Sequence, residues 1–195
     1  MAEYTEGNPR IYGILPAISG LAALNPSNQT LFNESKTLCH NVAKVLYNEL
    51  EDRHISQWGC AAVSSLVQFH PGNQLKMSNV CTFVAEIFSA HKTDMEVLTQ
   101  VFKMTSALAH DNITNRNKLG ANEVCQLVPH IFQSQISEMI FNPIFSLHHS
   151  PLYWATRAVA DLAANNPNNQ AKLGEGGACE CLVRILHREI SDGTK

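Results

Sequence analysis

The chain is poor in charge. Only 16% of its 195 residues are Asp, Glu, Lys or Arg, and 14 basic residues face 17 acidic ones, for a net charge of −3. A protein that grips a nucleic-acid backbone needs a basic field, because much of its affinity comes from neutralising phosphates. No nucleic-acid partner is expected. Long apolar runs are also missing: nothing approaches the ~20 residues of a bilayer-spanning helix, so no membrane span is expected. The opening MAEYTEGNPR has no basic-then-apolar leader pattern. Alternation of apolar and polar residues, the mark of a half-buried strand, is almost absent.

What is present points to a packed helical chain. Hydrophobic residues make up 45%, which suits a folded domain with a sizeable core and argues against disorder. Six cysteines, Cys39, Cys60, Cys81, Cys125, Cys179 and Cys181, sit among aliphatic residues at helical spacing, where free cysteine packs as a small hydrophobe. Disulfide frameworks belong to small secreted chains, so the expectation is a reduced, cytoplasmic protein, with the nucleus as a second location.

One segment recurs. NQTLF, NQLKM, NRNKL and NQAKL begin at Asn28, Asn73, Asn115 and Asn169, with periods of 45, 42 and 54 residues. Seven residues before each asparagine stands Leu21, Leu66, Leu108 or Leu162, and eleven before stands Ala17, Ala62, Met104 or Ala158. These leucines are expected to be buried equivalents. Apolar offsets of 3, 4 and 7 are those of one helical face. Each unit reads as a long helix, a tight turn, a short helix, a second turn and another helix. Thr93-Asp94-Met95-Glu96 reads as a capping box, and Ser150 before Pro151 as a helix start. Pro26, Pro71 and Pro167 each follow the expected end of a helix. The longest period holds an insertion at about 133–150.

The stretch NNQAKLGEGGACECLV, 168–183, invites two other readings. Its glycines resemble a phosphate loop, but such a loop follows a strand and ends in Gly-Lys-Ser/Thr, and neither is here. Cys179 and Cys181 resemble half of a metal site, but structural zinc sites use C-x2–4-C and a second pair. Packing explains the stretch better: Leu173 and Cys179 are expected in the core, and Gly174, Gly176 and Gly177 at a turn, as Gly120 is one copy earlier. No cofactor or metal is expected. Nine scattered histidines show no catalytic spacing with Ser, Cys or Asp, so no enzymatic activity is expected.

Together, WATRAVADLAANNPNNQAKLGEGGACECLVRIL at 154–186 and FKMTSALAHDNITNRNKLGANEVCQLVPHIF at 102–132 resemble armadillo repeats, with weaker copies at 59–88 and 16–46. The resemblance implies an all-α fold: a right-handed α-solenoid, the armadillo-like superhelix, of about four repeats, forming one domain over 1–195 apart from the insertion. It also implies three helices per repeat, the third lining a concave groove. In importin-alpha-like members each third helix presents a tryptophan and, four residues on, an asparagine. The matching pairs here are Pro16/Gly20, Ala61/Ser65, Lys103/Ala107 and Arg157/Asp161. None is Trp/Asn, so binding of basic signals is not implied, and Trp58 and Trp154 are expected to pack between repeats.

The function this implies is a non-enzymatic scaffold or adaptor that binds a protein or peptide partner along the groove, with Ser65, Lys103, Arg157 and Asp161 as candidate contacts. Asp161 would orient Arg157. A second reading, from the architecture of armadillo-only exchange chaperones, is a regulator of a small GTPase. On the repeat phase the chain starts within a third helix near 11–24 and stops after a second helix near 177–190. An exposed apolar face is therefore expected at one or both ends, around Ile14 and Ile18 or around Ile185 and Leu186, with either self-association there or a place in a longer solenoid as the consequence.

Overall fold

The computed structural model describes residues 9–141 and 151–192, and every regular element among them is helical. In chain order these are α1 (Pro9–Ala22), α2 (Pro26–Glu34), α3 (Leu38–Asn48), α4 (Arg53–Val67), α5 (Pro71–Lys76), a 3-10 turn (Ser78–Thr82), α6 (Val84–Ala90), α7 (Met95–Ala109), α8 (Ile113–Ala121), α9 (Val124–Phe141), α10 (Pro151–Ala163), α11 (Pro167–Glu175) and α12 (Ala178–Asp192). The long helices α1, α4, α7 and α10 pack side by side in that order, with α3 against α4, α6 against α7 and α9 against α10. One aliphatic and aromatic core runs through them, from Leu15 and Ile18 through Phe88 and Phe102 to Leu162 and Leu173. Among the described residues no helix is long and apolar enough to cross a membrane.

The recurring sequence is a recurring corner. After each long helix one residue takes a positive φ: Leu24 at 53°, Phe69 at 59°, Asp111 at 49° and Asn165 at 50°. That left-handed step ends the helix, as a glycine commonly does elsewhere. The next residue, Asn25, His70, Asn112 or Asn166, accepts a hydrogen bond from the backbone N–H three positions on. This is an N-cap. Pro26, Pro71 and Pro167 therefore open the short helices as first residues, where a missing N–H costs nothing. The asparagine amide then turns back to the leucine carbonyl seven residues earlier: Asn28 to Leu21 at 2.8 Å, Asn73 to Leu66 at 2.8 Å, Asn115 to Leu108 at 3.0 Å and Asn169 to Leu162 at 3.1 Å.

The residue after the asparagine ties one corner to the next long helix. Gln29 Nε2 donates to the carbonyls of Ser65 and Gln68, and Gln74 Nε2 to those of Ala107 and His110. Arg116 reaches Ala164 in the same way.

Several expectations need correction. Leu66, Leu108 and Leu162 are fully buried, but Leu21 is 57% exposed. No described helix covers its face of α1 as α3 covers α4, where Gly59 lies so near Leu46 that a Cβ would come within 2.9 Å of Cδ1. Ile14 and Leu186 are exposed as expected at the ends, whereas Ile18 and Ile185 are buried, Ile18 in line with Leu15 and Ala22 on the core stripe of α1. Cys179 is exposed and Cys181 is the buried one. The cap of α7 is Asp94, not Thr93, and it accepts from the N–H groups of Glu96 and Val97. The insertion is helical at its start, since α9 runs on to Phe141; its remainder, 142–150, lies outside the described residues, as do His148, His149 and Ser150.

The glycines divide by role. Gly177 has φ +90°, and Glu123 takes the matching φ of 62° one copy earlier. Gly120 is not at a turn: it lies in α8, where a Cβ would fall 1.9 Å from Asn169 Oδ1. Gly174 faces open space.

Candidate functional site

A pocket of about 120 Å³ opens on the row of long helices. It takes Ser64 from α4 and Gln68 from its cap, Lys103 and His110 from α7 or its end, and Trp154 and Arg157 from α10, with Phe69 as one wall. Phe69 reaches this place because the left-handed step after α4 throws its side chain outward, and it meets the His110 ring edge-on at 5.2 Å. No acidic residue lines the pocket, although the chain as a whole is acidic.

Beneath the pocket floor lies Asp161, buried and heavily bonded. Its carboxylate accepts from Ser106 Oγ at 2.6 Å and Arg157 Nε at 2.9 Å, and it stands 3.0 Å from His110 Nδ1. A carboxylate only accepts, so the proton of that last bond belongs to His110 Nδ1. Arg157 Nη2, 3.3 Å from the same nitrogen, then faces an N–H rather than an acceptor. The guanidinium is held by one edge, while 43% of the Arg157 side chain stays open to solvent. Asp161 thus orients Arg157.

Lys103 is different. Its Nζ lies 5.5 Å from the centre of the Trp154 ring, and no carboxylate or carbonyl of the described residues holds it. A cation over an indole face is stabilised by the ring quadrupole, but that is weaker than an ion pair in a desolvated place. Burial pushes the Lys103 ammonium below its ordinary pKa. Lys103 is therefore half-buried, not exposed as an ordinary groove lysine would be.

Of the four sequence candidates, Lys103 and Arg157 line the pocket and Asp161 supports it from below. Ser65 does not belong to it: the residue is buried between α1 and α4, its Oγ 3.2 Å from Ser19 Oγ and its carbonyl bonded to Gln29. The sequence reading missed Phe69, His110 and Trp154. Trp154 packs against the core, and it also forms the surface over which Lys103 lies. Its position three residues before Arg157 puts it on the same face of α10, and that is the signal that could have found it.

Ser106, His110 and Asp161 bring a hydroxyl, an imidazole and a carboxylate together. In a nucleophilic triad the imidazole stands between the other two. Here the carboxylate stands between, so the Ser106 hydroxyl donates to Asp161 and the imidazole is not aimed at Oγ. The buried thiols are also poor nucleophiles: burial pushes Cys81 up to about 12 and Cys125 up to about 11. Among the described residues no three His, Cys, Asp or Glu side chains gather as a metal-holding group. Compared with family models, with curated proteins and with solved structures, the chain matches none, so its geometry alone carries the functional reading.

Proposed function

We propose that the chain is a non-enzymatic scaffold of the armadillo type, a right-handed solenoid of about four repeats. Its row of third helices holds an extended segment of a partner protein, and an acidic side chain of that segment seats between Lys103 and Arg157. The observation that carries this reading is Lys103: a half-buried ammonium over Trp154, in a pocket without a single acid. Leaving a charge desolvated and unpaired is costly, and a carboxylate from outside removes that cost. Arg157, pinned by Asp161 but open on its outer edge, offers the second contact. The pocket's volume of about 120 Å³ suits one side chain and falls well below the ~300–1,000 Å³ of a cofactor site. Phe69 and Trp154 supply apolar walls for the stem of that side chain.

The order of Ser106, Asp161 and His110 is not that of a nucleophilic triad, in which the imidazole stands between the other two. The six cysteines, all free of disulfides, suit a reducing compartment, the cytoplasm or the nucleus.

The test is selection of random linear peptides on the immobilised chain. The enriched peptides should share an Asp or Glu at one fixed position. Lys103→Glu with Arg157→Glu should lose them at unchanged helix content, and binding to the parent should weaken as salt is raised. Enrichment without an acidic position, or unchanged affinity in the double variant, overturns the reading.

A further inference from the structure

We propose that a second groove, formed where α6 and α9 lie side by side, holds a basic amphipathic helix of a partner protein. It shares no residue with the pocket around Lys103, so the two surfaces are separate.

The groove has a volume of about 760 Å³. One wall is α6, through Ala85, Glu86 and Ser89. The other is α9, through Gln126 and Leu127, with Glu123 at its head. Offsets of 3 and 4 from Glu123 put these side chains on one face of the helix. The turn between α3 and α4 adds Leu50 and Glu51. Leu50, Ala85 and Leu127 are partly buried against the core and give the groove an apolar floor. The lining of α9 runs from Glu123 to His130, a length of ~10 Å, or about two helical turns.

Charge and hydrogen bonding select the occupant. Glu51, Glu86 and Glu123 are exposed at the groove, and no Lys or Arg lines it; His130 is its single base. None of the three carboxylates forms an ion pair among the described residues. A hollow adjoining at Leu50 adds Glu49. Glu123 holds its place at φ 62°, a left-handed step that Gly177 takes one copy later. Glycine is the least strained residue there, yet this copy carries a carboxylate. On the α9 wall, Gln126 Oε1 is buried with no donor among the described residues. Rotation of its amide about the last side-chain torsion, which is broad, turns that oxygen towards a donor in the groove. The site therefore lacks cations and an N–H, and offers aliphatic contact between them. A helix with Leu at i, i+3 and i+4 and Lys or Arg on its flanks supplies all three. It also satisfies its own backbone, whereas an extended strand would find no ladder partner on two helices whose backbone groups are already bonded.

The test is fluorescence anisotropy with a labelled peptide of about 18 residues, leucine and lysine at helical spacing. It should bind the 195-residue chain one to one, and more weakly as salt is raised. A peptide of the same composition with the leucine stripe scrambled should not bind, nor should one with glutamate in place of lysine. Glu86→Lys with Glu123→Lys should weaken binding at least about tenfold at unchanged helix content. Glu34→Lys with Glu180→Lys makes the same change of net charge at exposed positions outside the groove and should bind like the parent. So should Lys103→Met, which separates this groove from the other pocket. Ser89→Trp, at an exposed position on the α6 wall, should obstruct the groove and weaken binding without any change of charge. If the first double variant loses helix content, Glu51→Lys with Ser89→Trp takes its place. A parent that binds no peptide, a scrambled peptide that binds equally well, or an equal loss in the two charge-matched double variants overturns the proposal. A parent that dimerises through the groove, with the dimer lost in Ser89→Trp, also overturns it, since the occupant is then a second copy.

Discussion

The Asn73 side-chain amide donates to the Leu66 carbonyl at 2.8 Å and, with its other proton, to the Gln29 carbonyl at 3.1 Å. One buried group of α5 thus ties the end of α4 to α2, and it explains why an asparagine recurs at this place in each copy. Each hydrogen bond is worth about 0.5–1.5 kcal/mol, and a buried carbonyl left without a partner costs about 1–3 kcal/mol. Asn73→Ala should therefore lower the unfolding free energy by roughly 2–4 kcal/mol. Asn28 makes only the Leu21 bond, and makes it in solvent; Asn28→Ala should cost less than about 1 kcal/mol. Urea denaturation of both variants checks the pair, and equal losses would contradict the assigned role.

The corner was legible as a pattern but not as a mechanism. The spacing of asparagine and leucine marked the long and short helices well, since helical faces follow from period alone. It assigned Leu21 and Cys179 to the core because an alignment gives every copy the surroundings of the middle ones. Those two residues sit on the first and last described helices, on faces that no described helix covers. Ser65 differs by its chemistry: it meets Ser19 of α1 as Asp161 meets Ser106 of α7, but it carries no charge with which to hold a cation. Lys103, Arg157 and Asp161 were legible because charge is rare on these small, apolar faces. Phe69 was not, because a left-handed turn, which no periodicity announces, delivers its side chain to the pocket.

Gly120 and Gly174 should respond to alanine in opposite ways. A methyl at Gly120 would lie 1.9 Å from Asn169 Oδ1 and 2.9 Å from its Cγ. Asn169 has little freedom to withdraw, since its amide holds the carbonyls of Leu162 and Arg116. Gly120→Ala should cost about 1–3 kcal/mol, as overpacked sites do. Around Gly174 nothing lies within 4 Å, so Gly174→Ala should gain up to about 1 kcal/mol from helix preference alone. In the double variant Gly120→Ala with Asn169→Ala the losses should fall short of additive, because the clash disappears with the amide. Simple additivity in thermal or urea unfolding would mean that the two side chains do not meet.

Lys103 should show itself in the pH dependence of stability. Burial holds its ammonium below the ordinary lysine pKa of 10.5 to which the unfolded chain returns. Below the folded-state value both forms carry the proton, and the folded state bears the full cost of desolvation. Between that value and 10.5 the unfolded chain still binds a proton that the folded chain has released, so stability rises with pH across this window. Lys103→Met keeps a similar apolar stem beside Trp154 and has nothing to titrate. The difference in unfolding free energy between parent and variant should therefore move in the parent's favour as pH climbs towards 10.5. Other titrating groups are shared by both proteins and cancel. A bound acidic peptide should reverse the effect, because a carboxylate beside the ammonium favours its charged form and raises the pKa; affinity should then fall as pH rises through the free protein's Lys103 titration. A parent–variant difference that stays flat from neutral pH to 10.5 would place the ammonium in water rather than over the indole, and the groove would lose the feature that argues for an acidic partner.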